Sequence, residues 1–254
     1  MFSKDERTMH AYTTHSQRPK RVISVYAAAG FATSPQFMSH FLDRIEQELG
    51  REGMVLRAEL LFPYGDWHLN KMRQLREIAS DLRLSIKKRH FSVGGRRILS
   101  TLHKEDRITG DELILIGHSA GGLAAMHAAH RLMELNDRDG ASSTIPNVKV
   151  IQIGSPRCRV PKKLQRSSLY VYATNAKGRV TDPITKMGSW SGWPIVTHRK
   201  LLRDPLFYAP DSIQGVQTIG GHKDYFRHMP PFVNEAGCTN LDVTVQAIMN
   251  WLKL

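Results

Sequence analysis

The pentad Gly117-His118-Ser119-Ala120-Gly121 is the part of this sequence best equipped for chemistry. It follows the apolar run 113–116 and precedes an alanine-rich stretch with helical character, so the serine stands on a sharp strand-to-helix turn. A hydroxyl pushed out of such a turn can act as a nucleophile. Gly117 and Gly121 carry no Cβ to clash where strand and helix approach. The Ala120 N–H, at the helix start, is aimed at a developing oxyanion. A G-x-S-x-G pattern would arise by chance about 0.1 times in a chain of this composition, so the strand before it and the helix after it carry the weight.

A serine hydroxyl needs a base, and the base needs a carboxylate to orient it. On a turn of this kind the expected chain order is serine, acid, histidine. Of the twelve histidines, His10 and His15 fall in the N-terminal stretch, and His40, His68, His90 and His103 precede the serine. His118 diverges from its neighbour on the turn, while His127 and His130 sit on the following helix as structural residues. His198, His222 and His228 remain. His222, in Gly220-Gly221-His222-Lys223-Asp224, directly follows the last expected strand, where a loop can swing an imidazole over the sheet edge, and it is the favoured base. Asp182, in Val180-Thr181-Asp182-Pro183, is the first carboxylate after the strand at 169–173 and the favoured acid; Asp204 and Asp211 are its rivals. A second oxyanion donor is expected from the loop after the first strand, with the Phe31 N–H the candidate.

Such residues need a sheet to hold them. Val22–Ala29, Met54–Phe62, Leu113–Ile116, Val148–Ile153, Leu169–Ala173 and Val216–Ile219 read as strands, and most are continuously apolar. Ser34-Pro35 supplies a cap and first-turn proline for a helix carrying Phe37, Phe41, Leu42, Ile45 and Leu49. Met72, Leu75, Ala79, Leu82 and Ile86 mark one face of a second helix. Residues 92–110, with Gly94-Gly95, read as irregular or weakly helical. Residues 120–135 form a helix, and Leu241, Val245, Ile248 and Leu252 mark a closing one. Apolar strands alternating with amphipathic helices predict an α/β domain over 21–254, a mostly parallel sheet covered on both faces, behind a polar tail at 1–20. The aperiodic stretch 184–214, with Trp190, Trp193, Phe207 and Tyr208, is a candidate lid. In such sheets chemistry collects at the carboxyl ends of the strands.

Ile116-Gly117-His118-Ser119-Ala120-Gly121-Gly122, then Gly154-Ser155-Pro156-Arg157, Val180-Thr181-Asp182-Pro183 and Gly221-His222 resemble the α/β-hydrolases, most closely the class 3 (fungal-type) lipases. The resemblance is specific over about residues 113–226. It implies an α/β-hydrolase fold, with Ser119 as nucleophile, Asp182 as acid and His222 as base of an esterase or lipase that needs no cofactor or metal. The chain departs in having Ala120 where a leucine is common and in lacking a secretion signal. The same three residues would also serve an acyltransferase or a thioesterase, and a non-catalytic module docking on anionic surfaces would keep the fold.

The 254 residues carry 36 Lys+Arg against 23 Asp+Glu, a formal +13, with 41% hydrophobic residues, which excludes overall disorder. The excess is concentrated: residues 71–107 hold eleven cations against four acids, and 157–166 hold five cations and no acid. No RNA-binding signature, zinc-finger spacing or basic zipper accompanies them, so nucleic acid is not the expected partner. A small-molecule or lipid ester is the expected substrate, and an anionic membrane surface is a candidate partner. Two cysteines, Cys158 and Cys238, make no disulfide scaffold. With no apolar leader among residues 1–20, the cytoplasm is the expected location. Neither acyl length nor oligomeric state is written in these residues.

Overall fold

The structure, a computed structural model, describes residues 21–252 except 53, 104–109, 140–145, 194, 197–199 and 202. The tail at 1–20, with His10 and His15, and His198 therefore lie outside the described residues. In chain order the elements are β1 (Val22–Ala28), α1 (Ser39–Glu52), β2 (Met54–Leu61), α2 (Lys71–Leu82), α3 (Val93–His103), β3 (Glu112–His118) and α4 (Ala120–Asp139). They continue with β4 (Asn147–Ile153), the short α5 (Lys162–Gln165), β5 (Ser168–Thr174), the two-residue strands β6 (Ile195–Val196) and β7 (Lys200–Leu201), β8 (Ser212–Gln217) and α6 (Asn240–Leu252).

Six strands form one sheet in the order β2-β1-β3-β4-β5-β8, and every neighbouring pair is parallel. The period of two along each strand sends side chains to opposite layers. Val25, Ala27, Ile114, Ile116, Ile151 and Ile153 join the core under α1 and α6. Tyr26, Ala28, Leu113, Leu115, Val148 and Val150 face α3 and α4 on the other side. Burying a side chain of this size contributes roughly 1.5–3 kcal/mol, so the two layers together hold the sheet. This is the α/β domain expected from the sequence, a parallel sheet covered on both faces.

The topology also locates a crevice. From β1 the chain steps to β2 on one side and returns to β3 on the other, so the loops after β1 and β3 diverge from adjacent strand ends. Ligands bind at such a switch point in open parallel sheets.

Several elements differ from the sequence reading. Residues 93–103 are a regular α-helix, whose paired glycines are there for packing. A Cβ on Gly94 would lie 2.6 Å from Tyr64 Cζ and 2.8 Å from Ala124 Cβ, and one on Gly95 would lie 2.9 Å from His127 Cβ. The glycines let α3 lie close against α4, an economy of space that no propensity scale registers. Ser34-Pro35 opens only a short 3-10 turn at 35–37, and α1 begins at Ser39. The last strand runs from Ser212 to Gln217, earlier than expected, because it is an edge strand that alternates in burial instead of being continuously apolar. Helix α2 stops at Leu82, and Ile86 lies in the 3-10 turn that follows.

Candidate active site

Ser119 directly follows β3, with φ at 57°. That left-handed conformation costs a non-glycine residue roughly 1–2 kcal/mol, so something must hold it. Its N–H donates to the Ile153 carbonyl at 3.0 Å, and its carbonyl accepts from the Gly122 N–H at 3.1 Å. The flanking glycines fit as the pentad requires. A Cβ on Gly117 would lie 2.2 Å from Gly122 N, and one on Gly121 would lie 2.0 Å from the Ala28 carbonyl oxygen. The turn therefore packs directly on the end of β1.

The structure brings Ser119, His222 and Asp182 together. Ser119 Oγ lies 3.0 Å from His222 Nε2, and His222 Nδ1 lies 2.9 Å from Asp182 Oδ2. Asp182 is fully buried, and after β5 it caps the short 3-10 turn at Pro183–Lys186. Its Oδ1 accepts from the Ile184 N–H at 2.9 Å, and its Oδ2 accepts a second bond from the Tyr225 hydroxyl at 2.9 Å. These donors fix the carboxylate with Oδ2 turned towards the imidazole. Gly154, at φ 55°, makes room for it: a Cβ there would sit 2.7 Å from Asp182 Oδ2. Neither Asp204 nor Asp211 is placed near His222. Asp204 accepts from the Leu206 N–H, and Asp211 is bound through its backbone to Gln165. His228, the other described rival base, stacks on His40 away from Ser119.

The loop that carries His222 is fastened at both ends. Gly221 N–H donates to Asp224 Oδ2 at 2.9 Å, and Asn240, at the start of α6, donates to the Ile219 and Asp224 carbonyls. A third fastening comes from inside the sheet. The buried His118 ring lies nearly parallel to His222, with centroids 4.9 Å apart, and its Nε2 is 3.0 Å from the His222 carbonyl oxygen. Burial, reinforced by the neighbouring His222, pushes the His118 pKa down to about 3. His118 therefore stays neutral and donates that bond. Burial and the adjacent Asp182 push the Tyr225 phenol well above its ordinary range, so it too remains a donor to the carboxylate.

Phe31 and Ala120 line the cavity beside Ser119. Among the described residues neither the Phe31 N–H nor the Ala120 N–H has a hydrogen-bond acceptor. The neighbouring Ala32 N–H is already committed, donating to Gln74 Oε1 at 2.9 Å, and Ala32 sits at φ 47°. Gln74, fully buried on α2, donates in turn to the Asp66 carbonyl at 2.6 Å. Sequence reasoning missed Gln74, Tyr225 and the role of His118. A lone glutamine in a helix gives no signal, whereas the aromatic His222-to-Phe226 stretch was visible but not its direction.

A cavity of about 480 Å³ opens at Ser119 and His222. Its apolar wall comes from Phe31, Phe37, Leu75, Ile78, Ile184 and Met187. Among the described residues of the stretch 184–214, Ile184 and Met187 alone line the cavity. Trp190 instead packs edge-on against Tyr170 in a separate small cluster with Ala209, and Trp193 is exposed. Among the described residues no three His, Cys, Asp or Glu side chains converge as metal ligands, and no helix is long and apolar enough to cross a membrane.

No protein-family model matches this chain, and no curated protein does. Among solved structures it is similar to a Xanthomonas campestris pv. campestris protein provisionally named a hydrolase of the alpha/beta superfamily. The two share 12% identity over 91% of this chain and 98% of that one, with a TM-score of 0.44. A chain named m3DLH is similar at 16% identity over 94% and 88% of the two chains, with a TM-score of 0.45. What the site does is therefore read from its own atoms.

Proposed function

We propose that this chain is a serine hydrolase that cleaves carboxylic esters through an acyl-enzyme, in the manner of the class 3 lipases it resembles. The supporting observation is the unbroken line of hydrogen bonds from Ser119 through His222 to the buried Asp182, at the mouth of a largely apolar cavity. His222 Nε2 takes the Ser119 proton as Oγ attacks the ester carbonyl. Asp182 holds the ring through Nδ1–H and stabilises the imidazolium that forms. The Phe31 and Ala120 N–H groups, both without acceptors, receive the tetrahedral oxyanion. His222 then protonates the leaving alkoxide, and deacylation repeats the sequence with water as nucleophile. The apolar wall of Phe31, Leu75 and Met187 supports an acyl chain as the group accommodated.

A fluorophosphonate probe and a series of p-nitrophenyl esters of rising chain length test this. The parent is expected to label and turn over, and Ser119→Ala is expected to lose both by a factor above about 10³. Labelling without ester turnover would move the reading to another acyl acceptor or donor. No labelling of the parent would overturn it.

A further inference from the structure

A second cavity, of about 270 Å³, lies behind one wall of the first. Its lining includes Arg83, Ser85, Arg157, Cys158 and Arg159, and contains no acidic residue. Among the described residues none of the three arginines has an ion-pair partner. Arg157 Nε is buried and has no hydrogen-bond partner. Two of the arginines are nevertheless held in place, Arg157 over the Trp190 ring at 4.9 Å and Arg159 over Tyr208 at 5.2 Å. A fourth guanidinium, that of Arg89, is tied to this wall without lining the cavity. Arg89 is 98% buried, donates through Nη2 to the Arg159 carbonyl, lies beside Cys158, and leaves Nε and Nη1 without partners.

Like charges repel, and a buried guanidinium nitrogen without an acceptor is costly, so three arginines lining one cavity, with Arg157 Nε buried and unpaired, call for an anion there. The wall is built to match. Residues 157 and 188 pair in parallel, with Arg157 N–H donating to the Met187 carbonyl at 2.8 Å and Ser189 N–H to the Arg157 carbonyl at 3.0 Å. Pro156 and Met187 face the Ser119 cavity, while Arg157 and Gly188 face the arginine cavity. Gly188, at φ 77°, is needed for that close pairing, since a Cβ would meet the Arg157 carbonyl oxygen at 2.1 Å.

We propose that this cavity binds a phosphate group. Three arginines lining it, Arg83 from one stretch of chain and Arg157 and Arg159 from another, suit a tetrahedral oxyanion better than a planar carboxylate, which one fork already satisfies. The Ser85 hydroxyl, which caps no backbone N–H, adds a neutral donor. The cavity also has room for part of whatever carries the phosphate.

Calorimetric titration of the full chain with inorganic phosphate and with glycerol phosphate, together with sedimentation on phosphatidic acid and on phosphatidylcholine vesicles, tests the site independently of Ser119 chemistry. The expected result is saturable binding that weakens at least tenfold in Arg83→Gln/Arg159→Gln, whose side chains are exposed, and less than twofold in the distant Lys177→Gln. Arg157→Lys, which keeps the charge but loses the fork, is also expected to weaken it. Loss of soluble-phosphate binding in the double variant identifies a free phosphate compound as the source. Binding confined to phosphatidic acid vesicles, and lost in the same variant, identifies a lipid headgroup. Absence of saturable binding to every phosphate probe, equal affinity in the double variant and the parent, or acetate binding as tightly as phosphate would overturn the proposal.

Discussion

His118 ties the stability of this protein to pH in a way one substitution can isolate. Its ring is buried beneath His222 and its pKa falls from 6.5 to about 3 because burial disfavours the charged form. Between those values the unfolded chain binds a proton that the native protein does not, so stability is complete above about pH 6.5 and declines as pH falls. The loss from this group alone is about 2 kcal/mol at pH 5 and about 3 kcal/mol at pH 4. His118→Phe keeps an aromatic ring among Phe37, Tyr225 and Phe226, whose centroids lie 5.2–5.7 Å away, but removes the titration. Urea unfolding followed by tryptophan fluorescence, at half-unit steps from pH 7 to pH 4, gives the two stability curves. The parent's curve is expected to be steeper than the variant's by about 1.4 kcal/mol per pH unit below pH 6. His127 is also held neutral by burial, but it contributes to both proteins and cancels in the difference. Parallel curves would show that His118 is not the buried neutral base the geometry describes.

Gln74→Leu is expected to lower kcat at least tenfold with KM changed less than threefold, because Ala32 loses the acceptor that fixes the loop carrying the Phe31 donor; an unchanged kcat would refute that tether. Asp182→Asn is expected to slow turnover by about 10⁴, since an amide can hold the wrong imidazole tautomer, whereas Asp204→Asn and Asp211→Asn should stay within twofold of the parent. Ser119→Gly is expected to be more stable than Ser119→Ala by up to about 1 kcal/mol, because both lose the hydroxyl and only glycine is unstrained at φ 57°. Equal urea midpoints for that pair would mean the turn carries no strain.

What the sequence revealed was whatever depends on local pattern. The apolar runs of β1 and β3 mark buried parallel strands, and Gly117 and Gly121 announce a turn that must pack tightly. Chain order left three histidines, and position after a strand then favoured His222 and Asp182, the two that the structure links to Ser119. Contacts between distant segments left no such trace. Gly94-Gly95 looks like a helix breaker until Tyr64 and Ala124 are seen where its side chains would go. His118 was set aside because neighbours diverge on a sharp turn, which is correct, yet the divergence is what sends its ring under the His222 carbonyl.

Helix α2 shows why the site and the fold cannot be separated here. Its expected apolar face is not its buried face: Met72 and Leu75 are exposed, while the buried residues are Gln74 and Asp81. Each is saturated. Asp81 accepts from the Tyr64 hydroxyl, the Ser92 hydroxyl and the Val93 and Gly94 N–H groups, so it caps α3 and pins the loop after β2. Gln74, two turns earlier, ties the Phe31–Ala32 loop to the Asp66 carbonyl. Apolar contacts would let the helix slide, since dispersion has no direction, whereas these bonds fix it to within hydrogen-bonding tolerance. The outward side chains then acquire a use, because Leu75 and Ile78 form a wall of the Ser119 cavity. One helix thereby sets the position of the Phe31–Ala32 loop from its buried polar side and the shape of the cavity from its apolar side. A change that loosens its polar anchors will disturb catalysis before it unfolds the sheet.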